Sequence, residues 1–142
     1  MSVAENKALL ERVIVEFNNM ADRTGYFQLY HSDCVLHGYP PGLSPGLEGA
    51  KQFYHSLWNA FPDSNLVIED VIAEGDRVAC RYILHGTHKA DFMGIPASGT
   101  KIALRGMTIL RFVNGKCAER WQALDELGLM QQLGAIPAPG GK

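Results

Sequence analysis

Residues 102–125 read IALRGMTILRFVNGKCAERWQALD, and this stretch decides the fold. A run rich in Ile, Leu, Val and Phe and a second run that carries Cys117, Trp121 and Leu124 flank Asn114-Gly115, the dipeptide that most strongly marks a two-residue β-hairpin, because both residues accept a positive φ. Strands are therefore predicted over Ile102–Val113 and Lys116–Leu124, with Val113 opposite Lys116 and Thr108 opposite Trp121. On that register Glu119, Trp121, Ala123 and Asp125 share a face with Leu110, Thr108, Gly106 and Leu104. Arg105, Gln122 and Leu124 point the other way. A one-residue error in the turn would reverse these cross-strand assignments.

Upstream, Glu74-Gly75-Asp76 joins a second strand pair, Leu66–Ala73 and Val78–His85, and sets Asp70 opposite Arg81 as a cross-strand ion pair. Helical spacing marks two segments of the first 61 residues. Leu9, Leu10, Val13, Ile14, Phe17 and Met20 form one apolar stripe, and Ser2 with Glu5 fits a capping box, which predicts a helix over residues 3–20. A helical turn follows Thr24, and Cys34–His37 reads as a short strand. Ala50, Phe53, Tyr54, Leu57, Trp58 and Phe61 mark a second helix from Leu47, stopped by Pro62. Between them, Tyr39–Gly46 carries three prolines and no period, and is a loop. A last helix over residues 125–133 ends at Gly134, and residues 137–142 read as a mobile tail.

Helices first and long strands afterwards give an α+β class, as a single domain over residues 1–142. The expected form is a cone-shaped, curved antiparallel sheet with the N-terminal helices over its concave face, enclosing a pocket. Val78, Cys80, Tyr82 and Leu84 alternate with Ala79, Arg81, Ile83 and His85, so both faces of that strand are largely apolar. A homodimer through the outer face is the simplest cover for it. Thirteen Lys and Arg against fifteen Asp and Glu give a net charge of -2 with no basic run, so nucleic acid is not an expected partner. No apolar run approaches the ~20 residues of a membrane span. The polar N-terminus lacks the parts of a signal peptide, which gives a cytoplasmic expectation. Cys34, Cys80 and Cys117 have neither zinc nor disulfide spacing and read as small buried hydrophobes.

Few residues carry obvious chemistry. Asp125 is read in two ways: as the N-cap of the last helix, or as a carboxylate among apolar neighbours whose pKa is raised into the range of a general base. Glu119 reads as a solvated charge and His37 as a structural histidine. His85 and His88, three apart on a strand, point to opposite faces and do not chelate a metal. Phe17, Tyr54 and Trp58 are core residues that would line the cone, and residues 90–99, with Phe92, form an apolar loop suited to a lid or a dimer contact. No cofactor-binding motif is present.

Several stretches together resemble the SnoaL-like polyketide cyclases, from residue 5 to 137: Pro41-Gly42 with Pro45-Gly46, Ala60–Asp63, Ala73–Ala79, Gly86–His88, Phe92–Gly99, Asn114–Asp125 and Gly128–Gly134. The resemblance implies the cone of the nuclear-transport-factor-two-like superfamily and a dimer, or a tetramer of dimers, held through the sheet. It implies that Asp125 is the acid/base of an intramolecular aldol closure without metal or organic cofactor, and that His37 is the first-strand histidine that supplies a second polar group. The substrate expected is a small apolar carbonyl compound stacked on Trp121, near Thr108, Tyr54, Trp58, Phe92 and Phe17. Two rivals stand beside this: a non-catalytic binding protein of the same fold, and an isomerase or hydrolase acting on a small apolar substrate.

Overall fold

The computed structural model describes residues 2–137. The order is α1 (Val3–Phe17), a 3-10 turn (Thr24–Leu29), β1 (Tyr30–His37), α2 (Gly46–Ala60), β2 (Asn65–Glu74), β3 (Arg77–Thr87), β4 (Lys101–Val113), β5 (Lys116–Leu124) and α3 (Glu126–Gln132). Ser2 and Glu5 form the predicted capping box. The expected mobile tail lies, beyond Pro137, outside the described residues.

The five strands form one open sheet in the order β1-β5-β4-β3-β2. Its four long strands are antiparallel as expected, but the sheet is mixed: β1 runs parallel to β5, with His37 opposite Trp121. Strand β1 also begins four residues earlier than predicted, at Tyr30. Tyr30-His31-Ser32-Asp33 has no alternation of its own, and the pairing comes from β5, far away in sequence.

The Asn114-Gly115 turn places Val113 opposite Lys116 as predicted, with φ of 50° and 80° at the two turn residues. The register then slips. Phe112 pairs with Cys117 but Arg111 pairs with Glu119, so Ala118 is an extra residue in β5, a β-bulge. Beyond it Thr108 lies opposite Gln122, Ile109 opposite Trp121 and Gly106 opposite Leu124. The predicted faces are thereby exchanged. Arg120, Gln122 and Leu124 join Leu110, Thr108, Gly106 and Leu104 on the concave face, and Glu119, Trp121 and Ala123 turn outward.

The core lies between the concave face and the helices: Leu10, Val13 and Phe17 of α1, Phe53, Tyr54, Leu57 and Trp58 of α2, and Val78, Leu84, Leu104 and Leu110 of the sheet are buried. The outer face stays apolar and open, with Ile72 71% and Met107 61% exposed. No described helix is long and apolar enough to cross a membrane.

Gly106 leaves room for the ring of Tyr82. A Cβ there would stand 2.6 Å from the ring of Tyr82, directly across the strand pair. Gly106→Ala is predicted to destabilise the fold by about 1–3 kcal/mol through overpacking. Denaturant unfolding checks this, and replacing Tyr82 by Leu in the same chain should recover part of the loss.

Candidate functional site

The bulge at Ala118 carries Arg120 into the middle of the concave face, where it is 6% exposed. Its Nε donates to Thr108 Oγ1 at 2.9 Å and its Nη2 to Gln122 Oε1 at 2.9 Å. Its Nη1 faces three phenol oxygens, of Tyr26 at 2.9 Å, Tyr30 at 2.6 Å and Tyr54 at 3.0 Å. Tyr26 and Tyr30 are hydrogen-bonded to each other at 2.8 Å, as are Tyr39 and Tyr54 at 2.6 Å. Tyr82 donates to Gln122 Oε1 at 2.7 Å. All five tyrosines of the chain thus belong to one network around one guanidinium, four of them buried and Tyr39 half-buried.

Burial pushes every one of these phenols up: Tyr82 to about 12, Tyr39 higher, and Tyr26, Tyr30 and Tyr54 well above the ordinary phenol value. They are neutral at any physiological pH. Burial presses on Arg120 in the opposite sense, against its charged form, but the phenol oxygens around it outweigh this and hold it well above its ordinary value. Arg120 therefore keeps its charge. No carboxylate is among its hydrogen-bond partners in the described residues. Burying such a cation costs several kcal/mol, and its bonds to oxygen, about 1.5–3 kcal/mol each for charged groups, offset that.

Beside this network is a hollow lined at one end by Arg120, Gln122, Tyr26, Tyr54 and Tyr82, and elsewhere by apolar residues that include Phe17, Leu84, Phe92 and Leu104. Its free space is about 30 Å³, room for a couple of waters at roughly 10–15 Å³ each. The expected pocket is nearly filled by the protein's own side chains. Phe92 closes one side from the β3–β4 loop, packed edge-on against Phe61 at 5.3 Å. The base of that loop is pinned by His88, whose ring stacks on Phe61 and whose Nδ1 meets Ser98 Oγ at 2.9 Å.

Of the residues expected to form the site, Phe17, Tyr54 and Phe92 line the hollow. Trp58 packs on Phe17 and Tyr54 behind it. Thr108 lies on the concave face, accepting from Arg120 and donating to the Trp121 carbonyl at 2.7 Å. Trp121 and His37 do not reach the interior. The bulge turns Trp121 outward, where it borders a trough of about 500 Å³ with Ile72, Met107 and Ile109. His37 follows it, stacked at 5.3 Å, with Nε2 at 2.7 Å from Glu119 Oε2.

Asp125 does not sit among Trp121, Leu104 and Ala123. It is exposed at the end of β5, where its Oδ1 accepts the Gly128 N–H at 2.9 Å as the N-cap of α3. Its Oδ2 makes no hydrogen bond to the described residues. The carboxylate borders a groove of about 400 Å³ that shares Tyr82 and Leu124 with the hollow.

Arg120 was not legible as a site residue, nor were Tyr26, Tyr30, Tyr39 and Tyr82. The available signal was the pair Arg120 and Gln122 flanking Trp121, of which only one alternation can be buried, in a chain with five tyrosines.

An open, curved sheet wrapped over two helices, with its polar groups converging inside, defines an α+β cone built around an interior site. The sequence profile of the SnoaL-like polyketide cyclases matches residues 8–133, and the chain belongs to that family. It is 29% identical over 119 residues to the aklanonic acid methyl ester cyclase DauD of a Streptomyces species, covering 78% of this chain and 74% of that one. Among solved structures it resembles AclR of Streptomyces galilaeus, described as a candidate hydroxylase, with a TM-score of 0.83, 31% identity and coverage of 96% and 85% of the two chains. It also resembles TsrD of Streptomyces laurentii, with a TM-score of 0.86, 26% identity and coverage of 96% and 99%.

On the outer face Glu119 is held below the ordinary carboxyl value of 4.5, first by the hydrogen bond from His37 and then by Arg111 at 3.2 Å. A depressed folded value means that the pairing stabilises the fold above about 4.5 and is lost as pH falls through the lower value. Glu119→Gln is predicted to unfold at lower urea than the parent protein at pH 7, with the two midpoints converging by pH 3. Urea titrations across that range check it.

Proposed function

We propose that the protein abstracts a proton next to a carbonyl and closes a ring on a polyketide-like substrate. In this reading the carbonyl oxygen lies against Arg120 and Gln122 inside the cone, and Asp125 at the rim is the base. The observation that carries it is the buried guanidinium whose five hydrogen-bond partners are all neutral oxygens. Such a group stabilises charge as it develops on an enolate oxygen, and most strongly where water is excluded. Membership of the cyclase family supports the same chemistry.

The steps balance without a further reactant. The C–H bond breaks and its proton passes to Asp125 Oδ2, while Oδ1 keeps the Gly128 N–H. The electron pair moves onto the carbonyl oxygen facing Arg120. The enolate carbon then bonds to a second carbonyl carbon of the same molecule, and the alkoxide formed takes the proton back from Asp125. Arg120 here takes the stabilising role that the sequence pointed to in His37, and the apolar walls from Phe17, Tyr54 and Phe92 hold the carbon skeleton. Entry into so small a hollow requires Phe92 to move aside.

A second reading is favoured by one observation. Among the described residues that line the hollow none is a carboxylate or an imidazole, which suits a protein that binds a carbonyl compound without transforming it. Exchange of the α-protons of 1-tetralone into D2O, followed by proton NMR, separates the two. The parent protein should accelerate exchange, and Asp125→Asn, which still caps α3, should fold normally and lose at least about 100-fold of that rate. Undiminished exchange in Asp125→Asn would remove the proposed base, and binding without exchange by the parent would favour the second reading.

We propose further that the outer face pairs with a second copy of the chain. Ile72, Met107 and Ile109 are exposed side by side there around the Trp121 trough, and a homodimer would bury them while Arg81, bonded to Asp70 and Glu69 at 2.7 Å each, stays near the rim. Light scattering should report a dimer that Met107→Glu converts to a folded monomer.

A further inference from the structure

The charge of Arg120 has a consequence for which molecules the cone selects. A guanidinium offers five N–H hydrogens. Nε uses its one on Thr108, and Nη1 spreads two over three phenol oxygens. Nη2 has Gln122 Oε1 alone, so its second hydrogen has no acceptor among the described residues. Gln122 is oriented by the same bond: because Arg120 and Tyr82 both donate to Oε1, its Nε2 carries the two amide hydrogens, and these too have no acceptor among the described residues. Both side chains line the hollow. Two donors, one of them charged, are therefore aimed at a space whose other walls are apolar.

We infer that the cone is a site for a ligand with an apolar ring body and one ionised oxygen acid, a carboxylate or the acidic enol of a β-dicarbonyl, whose anionic oxygens take the spare hydrogens of Arg120 and Gln122. This rests on the reading that the cone interior is the ligand site, and adds to it the charge of the ligand. A neutral ketone or ester leaves a buried cation with only neutral partners, whereas an anion forms a charge-assisted pair in a low-dielectric, water-poor space. The apolar residues opposite, among them Phe17, Leu84, Phe92 and Leu104, exclude an inorganic anion as the intended occupant, because it would leave that wall without a partner.

The test uses the full chain and two probes with the same ring body, anionic 2-naphthoate and its neutral methyl ester, titrated by calorimetry at pH 8. The acid is expected to bind at least 10-fold more tightly than its ester. Gln122→Glu places a carboxylate beside Arg120 that still accepts from Tyr82, so it should fold, supply the missing negative charge internally and lose at least 10-fold of the naphthoate affinity, a larger loss than it shows for the ester. Thermal unfolding of the variant checks its fold. Equal affinity for acid and ester, binding of neither, or naphthoate affinity unchanged in a folded Gln122→Glu would each overturn the inference; the last would mean that the acid sits on surface cations. Failure of the ring-closing reading is distinct from this. Selective acid binding together with undiminished proton exchange in Asp125→Asn would leave the charge selection standing and remove the base.

Discussion

One buried cation organises the interior of this protein. Arg120 stands on the concave face of β5, and every tyrosine in the chain is arranged around it, from the 3-10 turn, β1, the proline-rich loop, α2 and β3. Phenols inside a fold need hydrogen-bond partners: the guanidinium serves Tyr26, Tyr30 and Tyr54, Gln122 serves Tyr82, and Tyr54 serves Tyr39, which joins elements far apart in sequence. Removing the cation would leave several phenol oxygens short of a donor at once. The network therefore ties the helical layer to the sheet and also presents a charge to the hollow.

That position depends on a single extra residue. Without the bulge at Ala118, alternation from Lys116 would have turned Arg120 and Gln122 to the outside and Glu119 and Trp121 to the inside. The bulge divides the two faces by chemistry. The inner face has the guanidinium, amide and phenols beside an apolar wall. The outer face has Trp121 stacked with His37, the ion pairs of Glu119, and an open stripe of Ile and Met. Asp125, immediately after β5, adjoins the outer groove and reaches toward the interior only past Tyr82 and Leu124.

Most of the fold was legible in the sequence because it rests on local signals. The Asn114-Gly115 and Gly75-Asp76 turns, the helical stripes of α1 and α2, and the Ser2–Glu5 box each act within a few residues. The early start of β1 was not legible, because Tyr30–Asp33 becomes a strand only by pairing with β5. The bulge was not legible either: Ala118 is an unmarked small residue between Cys117 and Glu119, with no glycine or turn signal. That one missed residue exchanged the two faces of β5. It put Trp121 and Asp125 on the face shared with Leu104 and Thr108, and left the face of Arg120 unexamined. The capping function of Asp125 was open from its place before the last helix, and the hydrogen bond from Gly128 realises it.

The account depends on Arg120 being charged while all five surrounding phenols are neutral, and alkaline titration of tyrosine absorbance at 295 nm on the native protein reads this directly. The account predicts no phenolate as the pH is raised through 10, followed by ionisation of all five tyrosines together when the fold opens. A phenol that ionised near or below 10 with the fold intact would contradict it. The cation would then carry its own counter-charge, and the interior would have no unmet charge to offer a ligand.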